Sequence, residues 1–242
     1  MKRSVSILVA MLLLSMLIPA SFGQNPKDNI LTSKEKNAGW QLLFDGKTTS
    51  GWRSTRSQDF PKSGWEVKDG LFTVLPPSKE SPSGGDIITT GTYKNFELSV
   101  DFMYTPGANS GIKYLIDNKT SIGCEYQVLD DIRHPDAKAG INGNRTLASL
   151  YDLIPASKQK KDNGPDKWNT ARIIVNGNHV EHWLNGQMTL SYERGTPEWK
   201  AVVATSKFKN EPNFGEETES HILLQDHGNK VYYKNIKIRE IK

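Results

Sequence analysis

An all-β chain, with two antiparallel sheets packed face to face and one short helix, is what this sequence is patterned to form. Three observations carry that expectation. Short apolar and β-branched runs recur between clusters of Gly, Pro, Asn and Asp across residues 39–242. Two alternating runs, Ala171 to Val175 and Val180 to Leu184, are joined through Asn176-Gly177-Asn178, the turn chemistry that closes a hairpin. No long stripe at helical spacing separates the runs, so parallel strands linked by crossover helices are not expected.

The elements follow in order. Lys2 and Arg3, an apolar run from Val5 to Ile18 and the small residues Ala20, Ser21 and Gly23 read as a signal peptide over residues 1–23, cleaved after Gly23 or Ala20. The run is short for a membrane span, and no cysteine follows it to accept a lipid. The expected address is therefore secreted or periplasmic, with no membrane span after cleavage. Residues 24–38 are polar and aperiodic and are expected as a flexible arm, leaving 39–242 as a single domain. Strands are expected at Gln41–Phe44, Trp65–Val67, Leu71–Leu75, Asp86–Thr90, Phe96–Tyr104, Gly111–Ile116, Glu125–Leu129 and Leu150–Leu153. The hairpin follows, then Met188–Tyr192, Ile222–Gln225 and Val231–Ile241. The helix is expected over Pro197–Ser206, with Thr196 as its cap and Pro197 at the first helical position. The loops Ile132–Thr146 and Glu193–Ser220 are long enough to wall a site.

Composition excludes some classes. The formal charge of +4 falls to +2 when Lys2 and Arg3 are removed, and the remaining lysines are scattered, so nucleic acid is not an expected partner. Cys124 is the only cysteine, which rules out an internal disulfide, and its place in a strand suits a small buried filler.

Strand parity sorts the polar residues. Cys124, Tyr126 and Val128 share one face, suited to a core, while Glu125, Gln127 and Leu129 share the other. On the neighbouring run Asn109, Gly111 and Lys113 form one set, so Lys113 can join Glu125 and Gln127 on an outward patch if the strands are adjacent. That patch reads as a sugar platform or as a cross-strand salt bridge. In the hairpin, His182 shares parity with Val180 and Leu184, which fits a core histidine, whereas Glu181 and Trp183 face outward as an acid and a stacking surface. Near the end, Gln225 and His227 share a face, and Asp226 and His227 can both reach a rim if the strand stops at Gln225. Asp130, Asp131, His134 and Asp136 crowd one loop with Arg145 and are candidate oxygen and nitrogen ligands for a divalent cation, although their spacing matches no known loop.

Ordered blocks carry a resemblance: GWQLLFDGKTTSGW from residue 39, GWEVKDGLF from 64, GGDIITTGTYKNFEL from 84, NSGIKY from 109, EYQVLDD from 125 and NRTLASLYDLIPA from 144. WNTARIIVNGNHVEHWLNG from 168 and HILLQDHG from 221 complete them. From about Gly39 to Ile241 the chain resembles the DUF1080, or 3-keto-disaccharide hydrolase, family. The resemblance implies a concanavalin A-like jelly roll and an oligosaccharide or glycoside substrate oxidised at C3 of a glycosyl unit.

A C3 ketone acidifies the C2 proton and sets the C1 aglycone β to the carbonyl, so cleavage can run by proton removal, elimination and water addition. The chain lacks the closely spaced acidic pair of an ordinary retaining glycosidase. Parity together with the resemblance implies Glu125 or His182 as the base, Lys113 or a bound cation facing the enolate, and His227 or Asp226 assisting departure. Gln127, Tyr151, Glu181, Trp183, Gln225 and Arg145 are the implied substrate contacts. Two alternatives stay open: a non-catalytic carbohydrate-binding sandwich, and a lyase or hydratase acting on the same keto-sugars.

Overall fold

Thirteen strands and three short helices make up the computed structural model, which describes residues 28–241. The strands are β1 Gln41–Leu42, β2 Trp52–Ser54, β3 Trp65–Lys68, β4 Leu71–Val74, β5 Ile87–Thr89, β6 Phe96–Tyr104, β7 Asn109–Tyr114 and β8 Cys124–Leu129. They continue with β9 Asn169–Asn176, β10 His179–Leu184, β11 Gln187–Glu193, β12 Leu223–Leu224 and β13 Val231–Glu240. The helices are α1 Ser33–Asn37, α2 Asp136–Ala139 and α3 Pro197–Ala204. The expected signal peptide, residues 1–23, lies outside the described residues.

Every strand pair is antiparallel. The larger sheet runs β11-β10-β9-β6-β13-β4-β3, with β1 also paired to β13, and the smaller runs β2-β5-β12-β7-β8. Strands distant in sequence are neighbours in both sheets, as in a jelly-roll sandwich. The hairpin forms as expected: Asn176 pairs with His179, and Gly177 takes a positive φ of 60°, which glycine adopts at no steric cost. Along β9 alternation is clean, with Ala171, Ile173 and Val175 buried. Along β8 every residue is buried, because loops cover its outer face as well. The core fills the space between the sheets around Phe72, Phe102, Tyr114, Tyr126 and Tyr233. Cys124 is fully buried among them, and burial raises its thiol to about 11, which suits a packing residue.

Two expectations change, and β2, α1 and α2 stand where no strand or helix was expected. Leu150–Leu153 is a turn, not a strand: Ala148 and Asp152 take positive φ values of 62°, and only Leu150 bridges to Tyr126 and Ile154. The three-residue β2 was too short for its alternation to register. The described part of the arm, residues 28–38, is held against the sheet. Asn29 and Asn235 exchange backbone-to-side-chain hydrogen bonds at 2.6 and 2.8 Å, Lys234 pairs with Asp28 at 2.8 Å, and Thr32 and Glu35 close a capping box on α1. The partners of Asp28 and Asn29 lie some two hundred residues away in sequence, so nothing local announced those contacts. The expected helix is present as α3, with Thr196 Oγ1 accepting from Trp199 N at 3.1 Å.

Candidate active site

The register of β7 on β8 places Lys113 directly opposite Glu125 and Gly111 opposite Gln127, on the outer face of the smaller sheet. β12 lies on the other side of β7, and its continuation brings Gln225 alongside, where Gln225 N donates to the Gly111 carbonyl at 3.0 Å. Gly111 is required here, since a Cβ at this position would stand 2.4 Å from Glu125 Oε1. The glycine leaves the space that the Glu125 carboxylate occupies.

Loops raise walls around this patch. The 148–151 segment runs along the free edge of β8, with Tyr151 N donating to the Glu125 carbonyl at 3.0 Å. From the opposite side, the loop after α3 brings Lys207, Phe208 and Glu211, and the Lys207 ammonium sits 4.1 Å from the Tyr151 ring centre. The result is a cavity of about 350 Å³ lined by Asn109, Lys113, Glu125, Gln127, Tyr151 and Gln225, with Lys207 and His227 at its mouth. A second cavity of about 410 Å³ adjoins it and shares Asn109, Tyr151 and His227.

Burial dominates the electrostatics. Glu125 is 5% exposed, and desolvation raises its carboxyl to about 7 against the opposing pull of Lys113 and Lys207. Lys113 Nζ lies 4.0 Å from Glu125 Oε2, close enough to bias the carboxyl without neutralising it outright. Turned with its nitrogen toward Glu125, the Gln127 amide donates to Glu125 Oε1 at 3.0 Å and to the Ser110 carbonyl at 3.1 Å. Desolvation and then the Lys113 charge hold both Lys207 and His227 below their usual pKa, although Glu125 counteracts this at Lys207 and Asp86 at His227. Burial and then a hydrogen bond to Asp136 keep the Tyr151 phenol protonated as a donor. Gln225 is 8% exposed, and its Oε1 has no hydrogen-bond partner. A buried acceptor left free beside a cavity is an open place for a ligand hydroxyl.

Of the residues singled out from the sequence, Lys113, Glu125, Gln127, Tyr151, Gln225 and His227 converge on this groove. The others do not. His182 faces the core from β10, fully buried, with Nε2 at 2.5 Å from the Tyr114 hydroxyl and Nδ1 at 3.3 Å from the Ala148 carbonyl. Desolvation lowers its pKa to about 3, so it is a neutral core histidine and cannot reach a substrate. Glu181 and Trp183 lie on the outer face of the larger sheet, across the sandwich, where Trp183 Nε1 donates to Glu181 Oε2 at 2.6 Å and Arg172 covers the indole. β12 ends at Leu224, yet Asp226 turns away from the groove, where it accepts from Ser83 Oγ at 2.7 Å, Gly85 N at 3.0 Å and Gly228 N at 2.8 Å. Arg145 braces the wall instead of lining the first cavity, binding Asp152 at 2.6 Å and Asp136 at 2.9 Å.

The loop acids do not gather around a common point. Asp130 accepts from Gly107 N and Arg133, Asp131 from Leu147 N and Lys160, and His134 Nδ1 from Asp136 N. Among the described residues no three His, Cys, Asp or Glu side chains are grouped to hold a metal ion. Sequence reasoning missed Lys207, Phe208 and Glu211; the length of the Glu193–Ser220 loop was the only signal toward them.

A jelly-roll sandwich whose smaller sheet carries a loop-walled groove of amides, cations and one buried carboxylate has the form of a carbohydrate-hydrolysing enzyme. The chain belongs to the 3-keto-alpha-glucoside-1,2-lyase-like domain family, whose model matches residues 39–239. It is similar to a 3-keto-disaccharide hydrolase of Bacteroides thetaiotaomicron, 36% identical over 229 residues that cover 83% of this chain and 78% of the relative. Two solved structures from Parabacteroides distasonis, both provisionally described as glycosyl hydrolases, are similar as well. One is 33% identical with a TM-score of 0.78, covering 89% of this chain and 100% of that one. The other is 26% identical with a TM-score of 0.62, covering 84% and 99%.

Proposed function

We propose that the enzyme cleaves 3-keto-glycosides, including 3-keto-disaccharides, by elimination across C1 and C2 followed by addition of water. The single observation that supports this reading best is Glu125: a buried carboxyl with a pKa of about 7, facing a cavity opposite an ammonium. Such a group is half ionised near neutrality, where a general base works best.

In the first half, the Glu125 carboxylate takes the proton from C2 and the electron pair moves onto the C3 oxygen. Lys113, with Lys207 at the mouth, stabilises that enolate charge beside the buried Glu125. As the C3 carbonyl re-forms, the C1=C2 double bond forms and the bond from C1 to the aglycone oxygen breaks. His227 at the rim passes a proton to the departing oxygen from its imidazolium form, the minor form near neutrality because burial lowers its pKa. In the second half, water adds at C1, Glu125 returns its proton to C2, and the proton shed by the water leaves through His227. The balance is net hydrolysis with every catalytic group restored. Gln127 orients Glu125, while the Tyr151 oxygen, its proton on Asp136, and Gln225 Oε1 offer acceptors to the ring hydroxyls.

The family description favours a second reading, release of the unsaturated sugar after the first half, which uses the same residues. The apolar run at Val5 to Ile18 supports export, with residues 1–23 as a cleaved signal and the periplasm as the site of action.

The test is to incubate purified residues 24–242 with a chromogenic 3-keto-glucoside and with its unoxidised parent, each with and without EDTA. Release from the keto form alone is expected. Release from neither, with saturable sugar binding by calorimetry, would instead make the protein a lectin. Loss of activity with EDTA would add a divalent cation to the enolate side. Spectroscopic detection of an enone product that persists would favour the lyase reading.

A further inference from the structure

We infer that the groove is divided into two subsites with a fixed polarity: the first cavity holds the oxidised ring, and the second binds the leaving group as a hydroxyl-rich sugar. This inference rests on the reaction proposed above and goes further in assigning each half of the substrate to named residues.

The division is geometric. The two cavities, of about 350 and 410 Å³, meet along Asn109, Tyr151 and His227. Each falls within the range of small-molecule sites, roughly 300–1,000 Å³, so together they have room for more than one ring. Their chemistry is unlike. The first contains the buried carboxylate, the Lys113 ammonium and the orphaned Gln225 oxygen, which needs a hydroxyl donor from whatever binds there. The second contains no lysine or arginine and is lined by His134, Pro135, Asp136, Ala139 and Asn229 beside the shared residues. A ring bound there meets carboxylate, imidazole and amide groups, a mixture suited to hydroxyls and poorly suited to a purely apolar aglycone.

Polarity follows from the shared wall. Proton removal at C2 and enolate formation at C3 both require the first cavity, where Glu125 and Lys113 are. The scissile bond to the C1 oxygen then points past His227 into the second cavity, the exposed rim where a departing sugar can be protonated and released. Asp136 is held in place by Arg145 at 2.9 Å, and Arg145 also binds Asp152, whose other oxygen accepts from Lys207 N at 2.7 Å. One guanidinium therefore links the wall of the second subsite to the loop that closes the first.

The experiment compares kcat/KM for a 3-keto-disaccharide and for methyl 3-keto-glucoside, which has the same oxidised ring and almost no aglycone, in wild type, Ala139→Trp and His134→Ala. Ala139 is exposed on α2, and thermal melting of each variant reports whether the fold is kept. The ratio of disaccharide to methyl glycoside is expected to fall about tenfold in Ala139→Trp, which fills the second subsite, and severalfold in His134→Ala. An unchanged ratio in both folded variants, with wild type active on both substrates, overturns the subsite assignment and leaves the reaction standing. Failure of wild type on both keto compounds overturns the reaction, and the assignment with it.

Discussion

Lys113 and Glu125 stand directly across from each other on adjacent antiparallel strands, with ammonium and carboxylate 4.0 Å apart over a floor made open by Gly111. A carboxyl this buried would ordinarily be neutral, and an ion pair this close would ordinarily be fully charged. The pair sits between those limits, with the Glu125 proton balanced near neutrality.

Glu125→Gln is therefore expected to lower kcat/KM on a 3-keto-glycoside by roughly 10²–10⁴-fold, the typical contribution of a general base. The amide keeps the shape and removes a charge from a buried position, so melting should be unchanged or raised. Turnover retained near the wild-type rate would take Glu125 out of the mechanism.

The same carboxyl shapes stability. Unfolded, it releases its proton near 4.5; folded, near 7, so the folded state binds more protons between these values. Its contribution is fully present below 4.5 and is lost as pH rises through 7, an effect of roughly 3 kcal/mol at most. Melting curves between pH 4 and 8 should show a downward slope in wild type that is weaker in Glu125→Gln.

Lys113→Met removes the charge that favours ionised Glu125. The acidic limb of the kcat/KM profile is expected to move to higher pH, with a loss of about 10²-fold at the plateau from the missing enolate partner. A reduced plateau with an unmoved limb would separate Lys113 from the Glu125 proton.

His182 works through packing. Its imidazole holds the Tyr114 hydroxyl in the core and stays neutral down to about pH 3, while an unfolded histidine protonates near 6.5. The stability it contributes is present above 6.5 and is lost as pH falls toward 3. His182→Leu should cost about 2 kcal/mol at neutral pH by stripping a buried hydrogen bond, and should reduce the acid sensitivity. Its kcat on the folded fraction should remain that of wild type, which denaturation curves and active-site titration together can establish.

Trp183→Ala and Glu181→Gln alter the outer face of the larger sheet, across the core from the groove. Neither should change kcat/KM; a tenfold loss in either would show that the opposite face takes part in substrate binding.

Much of this arrangement was legible in the chain because alternation along a strand is covalent geometry. Glu125 and Gln127 must share one face of their strand whatever the partner strands are, and His182 must share a side with Val180 and Leu184. The hairpin turn and the Thr196 cap are likewise written within a few residues. Parity does not say which outward face becomes a site. Glu181 and Trp183 are as outward as Glu125 and Gln127, and only the pairing of β7 with β8, and of β12 with β7, made one face a groove and left the other a solvated sheet. Lys207 arrives from a loop some eighty residues beyond Glu125, docked through Asp152, and Asn29 finds its partner at the far end of the chain. Such contacts depend on which distant segments close against one another, and the free energy that selects them belongs to the packed whole, not to any window of sequence.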